Sequence, residues 1–177
     1  MSTPRVPAAV KLVVSFLFSG EKDFADLLSR VEGLYGSLDF LSEPLSFPFT
    51  DYYEAEMGKD LRRRVASFGP LISPEALPEI KLGMNGLETL YPNARGGRRF
   101  NIDPGYLAPA KFILATGKDY SHRIYLREGI YGDLTLIFRK GGFAPLPWTY
   151  PDYASQPLIG LLEGLRRRYL WQLKSER

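Results

Sequence analysis

Hydrophobic and polar positions along this chain change period several times, and each change marks an element. Residues 10–19, "VKLVVSFLFS", are a short, nearly continuous apolar run, the pattern of a buried strand. Phe24, Leu27, Leu28, Val31, Leu34 and Tyr35 then recur at helical spacing, and Gly36 is placed to end that helix. "SLDFLSEPLSFPF" reads as extended, with Pro44 and Pro48 pushing it toward a sheet edge. "DLRRRVASF", near residues 60–68, is a second extended run. In "ISPEALPEIKLGMNGLETLYPN", Ser73 is a fitting N-cap and Pro74 suits the first helical position. Leu77, Ile80, Met84, Leu87 and Tyr91 form the apolar stripe of that second helix, with Pro78 delaying its regular part by a turn. Gly83 and Gly86 weaken it by about 1 kcal/mol each relative to Ala, which points to a packing role such as close approach of the sheet.

From residue 98 the period is two, predicting strands at 98–103, 110–116, 121–127 and 130–140 with reversals at Gly129 and Gly141-Gly142. Pro104 and Gly105 read as turn residues. A proline- and aromatic-rich crossing, "APLPWTYPDYASQP", leads to a last helix whose face is Leu158, Leu161, Leu162, Leu165 and Tyr169. The order through residue 103 is β-α-β-β-α-β. The expected fold is therefore α+β: a ferredoxin-like split βαβ core extended by C-terminal antiparallel strands and a final helix. No repeat, low-complexity segment or linker interrupts it, so residues 1–177 are expected to form a single domain.

Bulk properties narrow the chemistry. The charge of +3 comes from 23 basic and 20 acidic residues, too balanced to argue for nucleic acid by itself. Absence of cysteine removes disulfides, thiolate nucleophiles and cysteine-bound metals. No segment approaches the roughly twenty apolar residues of a membrane-spanning helix, and no signal peptide is evident. A cytoplasmic location with no membrane partner is the expectation. Phosphate loops of the G-x-x-x-x-G-K-[ST] type, G-x-G-x-x-G and G-x-S-x-G are all absent. "ATGKD" only partly matches the guanine-recognition motif of GTPases, because a glycine separates Thr116 from Lys118.

Alternation in the late strands sets Phe100 and Ile102 on one face against Arg99, Asn101 and Asp103 on the other. In "IYGDLTLIFR", it sets Ile130, Leu134, Leu136 and Phe138 against Tyr131, Asp133, Thr135 and Arg139. Two readings stay open. The polar rows can face water, as one side of an antiparallel sheet commonly does. Alternatively they converge on a cleft where Arg99, Lys111, Lys118 and Arg123 hold an anion, arginine's planar fork suiting phosphate or carboxylate. In that case Asp103 and the only histidine, His122, are the candidates for proton transfer. A second polar cluster, "TDYYEAEMG", offers Asp51, Tyr53 and Glu56 as ligand-binding residues across such a cleft, though a capped helical turn exposed to solvent is the favoured reading of it. One histidine without a cysteine cannot make an ordinary zinc site; carboxylates at Asp51, Glu54, Glu56, Asp103 or Asp133 leave only Mg²⁺ or Ca²⁺ open, and no metal is assigned.

The phrases "FPFTDYYEAEMG", "IKLGMNGLE", "GGRRFNIDPGYLAPAKFILATGKDYSHRIYL", "GIYGDLTL" and "LPWTYPDY" together resemble a bacterial family, domain of unknown function 4416, over roughly residues 8–172. Gly83-Met84 before Asn85 departs from that pattern, where a Thr is expected. The resemblance implies a compact bacterial cytoplasmic protein and brings no activity or cofactor with it. Its motifs direct attention to Lys81, Asn85 and Glu88 as well as the residues above. The functional expectation is binding of a phosphate- or carboxylate-bearing small molecule, nucleotide-like, in a polar cleft, with enzymatic activity left open. The alternative is a non-enzymatic module for a protein or RNA partner, drawing on "FAPLPWTYPDY" and the basic C-terminal helix; a homodimer through sheet edges is a further partner option.

Overall fold

The computed structural model describes residues 3–175. Among them one nine-stranded antiparallel sheet carries four α-helices. The strands are β1 (Val10–Phe18), β2 (Leu38–Leu41), β3 (Leu45–Ser46), β4 (Arg62–Ile72), β5 (Phe100–Ala108), β6 (Lys111–Thr116), β7 (Arg123–Arg127), β8 (Ile130–Arg139) and β9 (Gly142–Pro145). The helices are α1 (Phe24–Tyr35), α2 (Glu54–Met57), α3 (Leu77–Thr89) and α4 (Gln156–Ser175), with a 3₁₀ turn at Pro74–Ala76 leading into α3. Neighbouring strands run in the order β2-β4-β1-β5-β6-β8-β7; β3 adds to β4 and β9 to β8.

β1 is apolar without alternation because it is central and covered on both faces: all nine residues are buried. Leu12, Val14, Phe16 and Phe18 point toward α1 and α3, meeting Phe24, Leu27, Val31, Ile80 and Met84. Edge-on contacts between rings, such as Phe16 to Phe24 at 5.5 Å, fill this layer. The opposite face is covered by α4, whose Leu158, Leu162, Leu165 and Tyr169 pack on Val13, Val65, Leu107, Phe112 and Leu136. Lys11 is fully buried on β1, where its ammonium donates to Asp39 at 2.6 Å and to the Phe68 carbonyl at 2.7 Å. A buried ammonium needs such partners.

Three sequence expectations change here. β5 does not end at residue 103 but runs straight through Pro104 and Gly105, which are strand residues rather than a turn. The reason is a split in the sheet. β5 pairs with β1 from Phe100 to Leu107, yet with β6 only from Gly105 to Ala108. Ile102 directs its N–H and C=O away from β1 into the split, where Glu88 accepts the N–H at 2.6 Å and Lys81 donates to the C=O at 2.8 Å. Two residues on, Pro104 turns its nitrogen the same way, so its missing N–H breaks no ladder bond. A Cβ on Gly105 would stand 2.5 Å from the Ile113 carbonyl, so glycine is what lets β6 close again.

The second change lies on β8. A register shift opposite Phe112/Ile113 leaves Thr135 without a partner on β6. Beyond that bulge, Leu136 and Phe138 join the α4 side instead of sharing a face with Ile130, which packs on Leu77 and Ala115. Asp133 and Thr135 are buried rather than water-facing. The third concerns α3. Gly83 faces the Tyr35 hydroxyl of α1, and Gly86 faces open space, so neither glycine serves approach of the sheet.

Candidate functional site

The face covered by α4 is covered only in part. Where β5 and β6 separate, a cavity of about 630 Å³ enters the sheet. In its floor and walls, β4 gives Arg63, β5 gives Asn101 and Asp103, and the end of β6 gives Leu114 to Lys118. The 47–53 loop supplies Phe47 and Tyr53, and the crossing before α4 supplies Tyr150, Asp152 and Tyr153. Lys81 and Asn85 reach it from α3 through the split. Lys81, Asn85 and Glu88 fall at i, i+4 and i+7, one stripe of the helix. That spacing lets a single helix satisfy the open edge of β5 and line the cavity.

Arg63 is buried, 7% exposed. Its guanidinium is held between the rings of Phe47 and Tyr153, 4.9 and 4.8 Å from their centroids. Nη2 meets the buried Asp152 carboxylate at 2.6 Å, while Nε and Nη1 have no hydrogen-bond partner among the described residues. Burial works against its charge, and Tyr153, Asp152 and Asp103 outweigh that, so Arg63 remains a cation. Buried guanidinium N–H groups without acceptors are uncommon in folded proteins.

Asp103 accepts from Lys81 at 3.1 Å and from Asn101 at 2.6 Å. Burial alone would raise its pKa; the Lys81 ammonium, with Arg63 and Asn101, outweighs burial and holds the carboxyl below the usual aspartate value. Tyr53 moves the other way, pushed up to about 12 chiefly by burial, and so remains a neutral phenol. Arg123 is fully engaged: Nε donates to Asp133 at 2.9 Å, Nη1 to the Lys118 carbonyl and Nη2 to the Tyr150 hydroxyl. Lys118 sits at the mouth with its ammonium 5.1 Å from the Tyr52 ring centre.

Of the residues the sequence singled out, the fold brings Tyr53, Lys81, Asn85, Asn101, Asp103, Lys118, Arg123 and Asp133 to one cavity. It places the others elsewhere. Arg99 pairs with Asp23 and the Pro92 carbonyl on the outer surface. Lys111 starts β6 at the far end of the β5–β6 hairpin, exposed. Asp51 is exposed, its carbonyl accepting from Glu54 in the turn into α2. Glu56 holds Arg98 at 3.1 Å rather than lining the cavity. His122 stands behind Asp133, 3.2 Å from its carboxylate, with its ring stacked on Trp148 at 5.1 Å. The described residues contain no cluster of three or more His, Asp or Glu able to hold a metal.

Sequence reasoning missed Arg63, Asp152 and Tyr153. A signal for Arg63 was present: in "RRRVAS" it shares phase with Val65 and Ser67, both buried, while Arg62 and Arg64 take the other phase. The basic residues of α4 are partly turned onto the protein. Arg166 covers Phe138 and donates to the Pro109 carbonyl, and Arg168 lies over Phe40.

These features define an α+β protein whose single large antiparallel sheet opens around a cavity lined by paired charges and aromatic rings. The chain belongs to the family described as Domain of unknown function (DUF4416), whose sequence model matches residues 8–169. No curated protein and no solved structure matches it. No helix of the described residues is long and apolar enough to cross a membrane.

Proposed function

We propose that the cavity binds a small molecule bearing a phosphate or carboxylate, nucleotide-like in size, and that Arg63 receives the anion. The observation that carries this reading is the buried Arg63 guanidinium with Nε and Nη1 unpartnered in the cavity wall. Phe47 and Tyr153 flank the guanidinium, and its unpartnered N–H groups are donors of the kind that a carboxylate or phosphate oxygen accepts from. A volume of about 630 Å³ lies within the usual range for small-molecule sites. Asp103, kept ionised, offers an acceptor for hydroxyl or amino groups of the same ligand. His122 enters as support for Asp133 and not as a proton carrier. The strand order β2-β4-β1-β5, with α1 and α3 as its crossovers, supports reading this half as a ferredoxin-like split βαβ layer that the later strands extend.

Titration calorimetry with inorganic phosphate, acetate and a nucleoside monophosphate tests the proposal. Arg63→Lys keeps the charge opposite Asp152 but loses the fork. It should weaken binding about ten- to hundredfold, the worth of one charge-assisted hydrogen bond of about 1.5–3 kcal/mol, with the melting temperature little changed. Heat from none of the three anions, or equal binding by Arg63→Lys, would remove the proposal.

A further inference from the structure

The walls of the cavity hold five cations, and four of them are neutralised in place. Arg63 faces Asp152, Lys81 faces Asp103, Arg123 faces Asp133, and Arg98 is shared by Glu56 and Glu88. Lys118 has no carboxylate within 4 Å among the described residues; its ammonium meets only the face and hydroxyl of Tyr52. The cavity therefore has two places where cationic hydrogen-bonding capacity is unspent: the Arg63 fork at the floor and the Lys118 ammonium at the mouth.

These two places are not one site. Arg63 stands on β4 and Lys118 follows β6, three strand positions away, and the split between β5 and β6 makes that interval wider than three paired spacings of about 4.8 Å. Aromatic rings fill the interval. From Arg63 the Phe47 centroid is 4.9 Å away, Phe47 to Tyr53 is 6.4 Å, Tyr53 to Tyr52 is 5.0 Å, and Tyr52 to the Lys118 ammonium is 5.1 Å. The order is cation, three rings, cation. The mouth end also presents more than a lysine. Thr116 and Gly117 line the cavity beside it, the Thr116 hydroxyl accepts from the Lys118 N–H and so keeps its own proton for a ligand, and no atom crowds Gly117.

We infer that the ligand is a bifunctional anion: a molecule with phosphate or carboxylate groups at both ends of an apolar or flat middle. One end lies in plane with the Arg63 fork, the other on Thr116, Gly117 and Lys118, and the middle runs along Phe47, Tyr53 and Tyr52. This inference rests on the anion-binding reading above and adds the second subsite and the spacing. A monoanion would leave Lys118 unspent. A molecule with both groups at one end could not reach past the rings.

Matched series of probes test this. Calorimetry compares α,ω-dicarboxylates of increasing chain length with the monocarboxylates of the same length, and a terminal alkane bisphosphate with inorganic phosphate. One length of dianion should bind at least about tenfold more tightly than its matched monoanion, since the second contact is then intramolecular. The better arm, dicarboxylate or bisphosphate, identifies the end groups. Lys118→Ala, an exposed position, should reduce the dianion to the affinity of the monoanion and leave the monoanion unchanged. Arg63→Lys should weaken both. Equal binding of mono- and dianions at every length, or a dianion advantage that survives Lys118→Ala, overturns the two-ended ligand while leaving the Arg63 site intact. Silence from inorganic phosphate and every monoanion, with no effect of Arg63→Lys, overturns the anion site itself.

Discussion

The two faces of the sheet are built from alternate residues of the same strands, yet they are different kinds of surface. Toward α1 and α3, β1, β4 and β5 present Phe16, Phe18, Phe68, Phe100 and Ile102, all essentially without exposure. Toward α4, the same three strands present Val13 and Val65 at one end but Arg63, Asn101 and Asp103 at the other. Two helices close the first face over β1, β4 and β5; one helix closes part of the second, and beside it lies the cavity. The difference teaches where this fold spends its polar groups. Apolar cores on the closed face and under α4 make the stability, so the open part of the second face can hold four buried or half-buried ion pairs whose net contribution to stability is small or even unfavourable.

The hardest way to break the comparison is to damage the closed face. Phe68→Ala removes a fully buried ring from the middle of that layer and should cost about 3–5 kcal/mol, read as a drop in the urea midpoint without change in slope. A cost below about 1 kcal/mol, the level of an ordinary surface substitution, would mean the closed face is not where stability resides.

Much of this contrast was legible in the sequence. The continuous apolar run of β1, the helical stripe of α1 and the face of α4 each carry a period that only one element satisfies. The site was legible in pieces. Tyr53, Asn101, Asp103, Lys118 and Arg123 lie in phrases dense with polar groups, and the fold brings these five together. Arg63 was hidden because it is one of three adjacent arginines, and burial depends on a strand being central, which tertiary pairing decides. Pro104 and Gly105 look like a turn to any local rule; only the separation of β6 from β5 makes a strand the better place for them. The bulge at Thr135 leaves no compositional mark, yet it reverses the faces of Leu136 and Phe138. Arg99 and Lys111 carry the right chemistry on the wrong side of a distance that alternation along a strand does not encode.

A finer test works on the open face through pH. Asp103 is held below the usual aspartate pKa by Lys81, Arg63 and Asn101 against the opposing effect of burial. A depressed carboxylate contributes stability above its unfolded value, about 3.9, and loses it as pH falls through its folded value. Asp103→Asn should therefore be less stable than the parent at pH 7, with the gap closing below about pH 4. Glu88 has the opposite sign: burial raises its carboxyl despite the Ile102 N–H, Lys81 and Arg98. Its contribution is fullest below about 4.3, its unfolded value, and declines as pH rises through its folded value. Urea midpoints of parent and Asp103→Asn at pH 7 and pH 3 separate the two. A gap of the same size at both pH values would show that Asp103 acts by shape rather than by charge.

The smallest effect sharpens the comparison by touching neither face. α3 must present Lys81, Asn85 and Glu88 to the split while burying Ile80, Met84 and Leu87, so its geometry couples the closed face to the cavity. Gly86 lies on the exposed side of that helix, and a Cβ there would meet no atom within 4 Å. Gly86→Ala gains helix propensity without a clash and should raise stability by about 0.8–1 kcal/mol. Gly83→Ala is the control on the same helix, because its Cβ would come 2.6 Å from the Tyr35 hydroxyl, the far end of a side chain that has to swing aside. Thermal melts of the two variants should place Gly86→Ala above the parent and Gly83→Ala below Gly86→Ala. Binding of inorganic phosphate by Gly86→Ala should stay at the parental level, since the helix stiffens without moving Lys81 or Asn85. If Gly86→Ala instead gained stability and lost phosphate binding, α3 would have to flex for the ligand to enter, and the cavity would depend on the looseness those glycines confer.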